Sequence, residues 1–169
     1  MMRTKPVLKL RRHWATALLL AAASTAAILG SSDPAAAKAA ANANPIVFHD
    51  ARAQAAELIR ENDRITLTPA QEKIRTEALS SIAAPCCAEY SMATCCCPCN
   101  LARSTWGLSK VLITRNHANA ALVTQAVNEW LAFINTSGFT GDACDTGGCS
   151  RAFEKNGCGG MDPKKLIAA

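Results

Sequence analysis

The chain has 169 residues, 18 Lys and Arg against 13 Asp and Glu, and nine cysteines. Residues 1–37 hold five of the cations and one acid, so +4 of the formal +5 charge belongs to that segment and the remainder is nearly neutral. That balance argues against a nucleic-acid partner, which is held by clustered cations.

Arg3, Lys5, Lys9, Arg11 and Arg12 precede an uncharged, Ala- and Leu-rich run from Ala15 to Gly30, and small-residue sites follow at Ala35-Ala36-Ala37 and Ala41-Asn42-Ala43. That order is the order of a secretory signal peptide. A membrane anchor needs roughly 20 strongly apolar residues; this run is shorter, and Thr16, Ser24 and Thr25 interrupt it. Cleavage near Ala37 is expected, leaving about 132 residues, enough for one small core, with no membrane span and a periplasmic or secreted location. Arg11-Arg12 before His13-Trp14 also fits a twin-arginine export signal, a route taken by already folded proteins.

Residues 38–45 read as a flexible linker. A short helix is expected over 49–61, with Asp50 near its start and Ala53, Ala56 and Leu58 available for burial. The next begins at Thr68-Pro69-Ala70-Gln71, where Thr68 and Gln71 make a capping box and Pro69 suits the first helical position. Ala70, Ile74, Ala78 and Ile82 share one face of it, and Pro85 sets its end. A loop crowded with cysteine follows from Cys86 to Cys97. Pro98 opens a third helix that runs to about Thr114, with Leu101, Leu108 and Leu112 along one side. After a turn at Arg115-Asn116-His117, a fourth helix spans 118–135 with Leu122, Ala126, Trp130 and Phe133 as its apolar stripe. No stretch alternates like a strand, so the expected fold is all-α: a small helical bundle over 46–135. The segment 136–169 is different, with seven of the nine glycines, three cysteines and few apolar residues. Such a segment buries too little to order itself, so its packing on the bundle is expected to come from cross-links or a metal.

Six sulfurs fall within 14 residues: Cys86, Cys87, Cys95, Cys96, Cys97 and Cys99. Adjacent cysteines bond poorly to each other and usually send their sulfurs to different partners or donate jointly to a metal cluster. Thiolates select Cu(I), zinc and iron–sulfur centres. Cu(I), which accepts low coordination numbers and bridging sulfur, tolerates the crowding best, whereas one tetrahedral zinc leaves two of the six over. Cys96-Cys97-Pro98-Cys99 is also a C-x-x-C pair at a helix N-terminus, where backbone N–H groups stabilise a thiolate. Cys96 and Cys99 are thus candidate catalytic residues of a thiol–disulfide oxidoreductase. Asn100, standing where a c-type haem site needs His, excludes that cofactor. A third reading is a disulfide-stapled structural or interaction domain, although nine is odd and tandem cysteines staple poorly. Cys144, Cys149 and Cys158 are possible additional metal ligands or a disulfide with one spare. His49 and His117 read as solvated, Met92 as gap-filling, and Trp106 and Trp130 as core; Asp142 and Asp145 flank Cys144 without forming a paired-carboxylate site.

From Pro85 onward, Pro85-Cys86 and then Cys96-Cys97-Pro98-Cys99-Asn100-Leu101-Ala102 resemble the exported bacterial cysteine-rich proteins of the Pro-Cys-Tyr-Cys-Gly-Cys motif family. Cys87 and Ala88 stand where Tyr and Cys would follow in that motif. The resemblance covers about 50 residues and implies an extracytoplasmic compartment and a helical fold. The C-x-x-C helix and hairpin are also similar in outline to the periplasmic thiol-reductase subunits of cytochrome c maturation. The residues taken together point to extracytoplasmic binding of copper or zinc for storage, transfer or tolerance, with a periplasmic redox or metal-transfer protein as the partner class.

Overall fold

The computed structural model describes residues 46–168; the signal peptide and linker expected over 1–45 lie outside them. Among the described residues there are four α-helices: α1 (Ala51–Arg64), α2 (Pro69–Ser80), α3 (Asn100–Arg115) and α4 (Ala120–Ile134). None is long and apolar enough to cross a membrane.

Local chemistry accounts for the helix starts. The Asp50 carboxylate accepts the Ala53 N–H at 2.8 Å, so α1 begins two residues later than its apolar pattern suggests. Thr68 and Gln71 form the expected capping box, with Pro69 at the first helical position. The Asn119 side chain accepts from Leu122 N–H and starts α4 after a turn in which His117 has φ +52°. Helix α3 differs: its N-cap is Cys99, in extended backbone, and Pro98 lies outside the helix.

The core brings Leu79, Leu101, Leu108, Val123, Val127 and Trp130 together. Phe48 stacks over this end, its ring 5.2 Å from Trp130 and 5.7 Å from Phe133. Two expected stripes are rotated. In α4 the buried residues are Val123, Val127, Trp130 and Ile134, whereas Leu122, Ala126 and Phe133 are half-buried. In α1 they are Ala55, Ile59 and Glu61, and Ala53 is exposed. Ala70 in α2 is exposed too. In so alanine-rich a sequence several faces are nearly equally apolar, and the neighbouring helix decides which is covered.

Glu61 is buried because Arg115 reaches it from α3, 2.6 Å away, and Arg64 adds a second contact at 3.3 Å. The Arg115 hydrogen bond holds the Glu61 carboxyl below its ordinary range. A carboxyl depressed by folding stabilises the protein above its unfolded pKa, and that contribution is lost as pH falls through the folded value. The melting temperature should therefore fall as pH drops from about 5 toward 3, and Glu61→Gln should make that stretch of a thermal-melt pH series flatter.

One expectation fails outright. The segment after α2 is not a plain loop: β1 (Ala83–Ala84) and β2 (Cys87–Ser91) form an antiparallel hairpin, with Ala83 opposite Ser91 and Ala84 opposite Cys87. The fold is mostly helical with this small sheet. Residues Ala88, Glu89 and Tyr90 of β2 are all exposed. The hairpin therefore comes from backbone pairing across the Pro85-Cys86 turn, and leaves no apolar alternation to read. It is tied to α3 by the Trp106 indole, which donates to Met92 O at 2.8 Å, and Met92 is buried as a core residue. Trp106 itself is only half-buried.

The C-terminal segment has a definite path, including short 3₁₀ turns at Gly148–Ser150 and Phe153–Lys155. Backbone hydrogen bonds join it to the body. Ala88 N–H donates to Gly141 O, and Cys144 N–H donates to Cys86 O, both at 2.9 Å. Phe153 is fully buried, which contributes about 2–3 kcal/mol.

Candidate metal centre

The first two amides of α3 have no intrahelical acceptors. They are capped by the C-terminal segment: Asn100 N–H donates to Gly160 O, and Leu101 N–H to Cys158 O, each at 2.9 Å. The buried Asn100 side chain adds bonds to Gly159 O at 2.8 Å and Asp162 O at 2.9 Å. Gly159 (φ +72°) lies against the Phe153 ring, where no side chain fits. This clamp sets Cys158 beside Cys99.

Four stretches of chain thus supply sulfur to one place: the start of the hairpin (Cys86, Cys87), the loop before α3 (Cys95, Cys96, Cys97), the N-cap of α3 (Cys99) and the C-terminal segment (Cys144, Cys149, Cys158). All nine cysteines are free. Three triads have their sulfurs within 4.8 Å of one another: Cys86, Cys99 and Cys158; Cys144, Cys149 and Cys158; and Cys96, Cys97 and Cys144. Cys95 joins the first triad, 3.8 Å from Cys86, and Cys87 lies beside Cys96. A metal–thiolate bond of about 2.3 Å places sulfurs roughly 3.8–4 Å apart around a tetrahedral or trigonal ion. A disulfide needs about 2.05 Å. The Cys86–Cys95 spacing matches the former, and each triad offers three soft donors within reach of one ion.

Electrostatics divides the sulfurs. Cys99 is held far below the ordinary thiol range by the thiols of Cys158, Cys86 and Cys95, with a further contribution from the Ala102 N–H facing its sulfur. Its partners are pushed the other way. Hydrogen bonding to Cys158, Cys95 and Cys99, then burial, raises Cys86. Cys95 is pulled down by Cys86, but Cys99 and burial outweigh this and push it up to about 11. Cys158 is likewise lowered by Cys86 and, more strongly overall, raised by Cys99 and burial. Burial raises Cys97, Cys144 and Cys87, and the charged side chains acting on Cys87 are the acids Asp145 and Glu89. Hydrogen bonding within the group thus favours charge on the Cys99 sulfur and protons on the sulfurs around it. A soft cation would replace those protons.

Every cysteine that the sequence offers as a ligand lies in or beside these triads, but their grouping is not readable from spacing. Cys144, Cys149 and Cys158 are integral members, and Cys144 and Cys158 each belong to two triads. The C-x-x-C pair is divided: Cys96 is exposed in one triad, and Cys99 is buried in another. Sequence reasoning misses Asn100, which serves there only to exclude haem, as the clamp for the C-terminal segment; a polar residue just inside a helix start is the available signal. His49 and His117 are exposed. The chain matches no protein-family model, no curated protein and no solved structure.

Proposed function

We propose that this protein binds a thiophilic metal ion, copper or zinc, outside the cytoplasm, for storage, transfer or tolerance. The observation that carries the reading is the convergence of the free sulfurs from four stretches of chain, seven of them in three triads of metal-binding size. A thiol–disulfide enzyme using Cys96 and Cys99 fits less well. Its pair falls in two different triads, and the thiol with the depressed pKa, Cys99, is closed to solvent. Export rests on the signal-like residues 1–37, and exposed Cys96 is where a metal-transfer partner would exchange an ion.

Protein purified anaerobically after native export should carry at least one equivalent of copper or zinc by elemental analysis. Acid should release it, because each thiolate ligand competes with a proton. Replacing Cys95, Cys96, Cys97 and Cys99 together by Ser should remove the two triads they belong to and leave at most the Cys144/Cys149/Cys158 set to bind, while the helical circular dichroism persists. Metal-free protein with eight cysteines in disulfides would establish a stapled domain instead, and turnover in an insulin-reduction assay lost on Cys96→Ser would establish the enzyme.

A further inference from the structure

The triads are linked. Cys144 is a corner of both the Cys96/Cys97 triad and the Cys149 triad, and Cys158 is a corner of both the Cys149 triad and the Cys86/Cys99 triad. Seven sulfurs therefore make three sites in a row, joined through two shared corners. Solvent access changes along the row. Cys96 is exposed, Cys97, Cys144 and Cys149 are half-buried, and Cys86, Cys99 and Cys158 are sealed at 1%, 0% and 0% exposure.

The tandem runs then have a physical reason. Cys86 belongs to the sealed end, whereas its neighbour Cys87 lies beside Cys96 at the open end. Cys95 reaches the sealed end through Cys86, whereas Cys96 and Cys97 form the open triad. Each run therefore feeds both ends at once.

Resting on the metal-binding reading, we propose that the centre is a copper(I)–thiolate chain. It takes three Cu(I) ions into three corner-sharing triads, loaded from the open end at Cys96 and closed at Cys86, Cys99 and Cys158. The donor geometry selects the ion. Structural zinc takes four ligands in a tetrahedron; only the sealed end, where Cys95 stands 3.8 Å from Cys86, offers a fourth sulfur, and the other two sets are triads whose shared corners require bridging sulfur. Soft thiolates suit Cu(I), and Cu(I) is stable with two or three sulfurs and with sulfur bridging two ions. On binding, each ligand thiol gives its proton to solvent, and copper stays in the +1 state throughout. Sealing the last triad keeps water and oxidants from that ion.

The test uses Cu(I) alone, supplied anaerobically to the reduced, metal-free exported protein in competition with a Cu(I)-specific chelator, with native mass spectrometry as the readout. Wild type should bind three Cu(I) per chain. Cys96→Ser, at an exposed position, leaves the outer ion only Cys97 and Cys144, a pair that the chelator outcompetes, and should retain two. Cys144→Ser should break the outer and middle triads together and bind one, while its circular dichroism stays that of wild type. If Cys144→Ser fails to fold, the capacity of Cys96→Ser and of wild type still decide the matter. Saturation at one Cu(I), unchanged by Cys96→Ser or Cys144→Ser, would overturn the chain while leaving a metal-binding protein. Tight zinc that excess Cu(I) fails to displace would overturn the choice of ion. Failure to bind either metal would overturn the metal-binding reading itself.

Discussion

Loading the reduced protein with its metal is expected to raise the melting temperature by about 10 °C or more and to close the C-terminal segment to proteases. A ligand that binds only the folded state stabilises it by about 4 kcal/mol at a thousandfold excess over Kd. In a chain of this size each kcal/mol shifts the transition by roughly 3–6 °C. The effect should concentrate on residues 136–168, because a metal in the Cys86/Cys99/Cys158 triad joins that segment to the hairpin and to the start of α3. Without metal the segment relies on backbone hydrogen bonds and on Phe153. Ordering costs about 1–2 kcal/mol per residue, and glycine costs more than most. Limited proteolysis with and without chelator, under reducing conditions, measures the difference. Removal of the segment should be at least tenfold faster without metal, with a fragment spanning α1 to α4 persisting. The double variant Cys144→Ser/Cys158→Ser, which breaks all three triads, should be cut at the metal-free rate even in excess metal. Equal rates in both states would mean that no bound ion holds the segment to the body.

Gly107→Val should destabilise the protein by about 3 kcal/mol or more, the upper end of an overpacking penalty, and Gly107→Ala by about 2 kcal/mol. The sign for Ala is the informative part. Alanine is the better helix former by about 1 kcal/mol, so propensity alone predicts stabilisation. The tertiary contact opposes it: a Cβ on Gly107 would run into the main-chain carbonyl of Leu58 in α1, and backbone cannot rotate aside. On the same two helices, Lys110 Nζ donates to Asn62 O at 2.6 Å, which fixes their separation. Chemical denaturation of both variants gives the values. A stabilised Gly107→Ala would mean that α1 and α3 can move apart at little cost. Because Gly107 lies two turns from Cys99, metal stoichiometry should survive wherever the variant still folds.

The residues that specify local structure act over three or four positions and are visible in the sequence. Asp50 and the Thr68/Gln71 box with Pro69 each hydrogen-bond an amide within one turn. The soft-metal chemistry is also legible, because six sulfurs within 14 residues restrict the choice of ligand whatever the fold. Tertiary structure decides the rest. The hairpin at Cys87–Ser91 is built from main-chain pairing, which carries no side-chain pattern. The buried face of α4 is set by its neighbours, one position away from the stripe through Leu122 and Ala126. The grouping of the cysteines is a long-range matter: Cys158 meets Cys99 because the buried Asn100 amide holds Gly159 O, 59 residues away. Spacing along the chain, which joins Cys96 to Cys99, cannot report that contact. Tertiary packing separates that pair and seals Cys99 with sulfurs brought from the hairpin and the C-terminal segment.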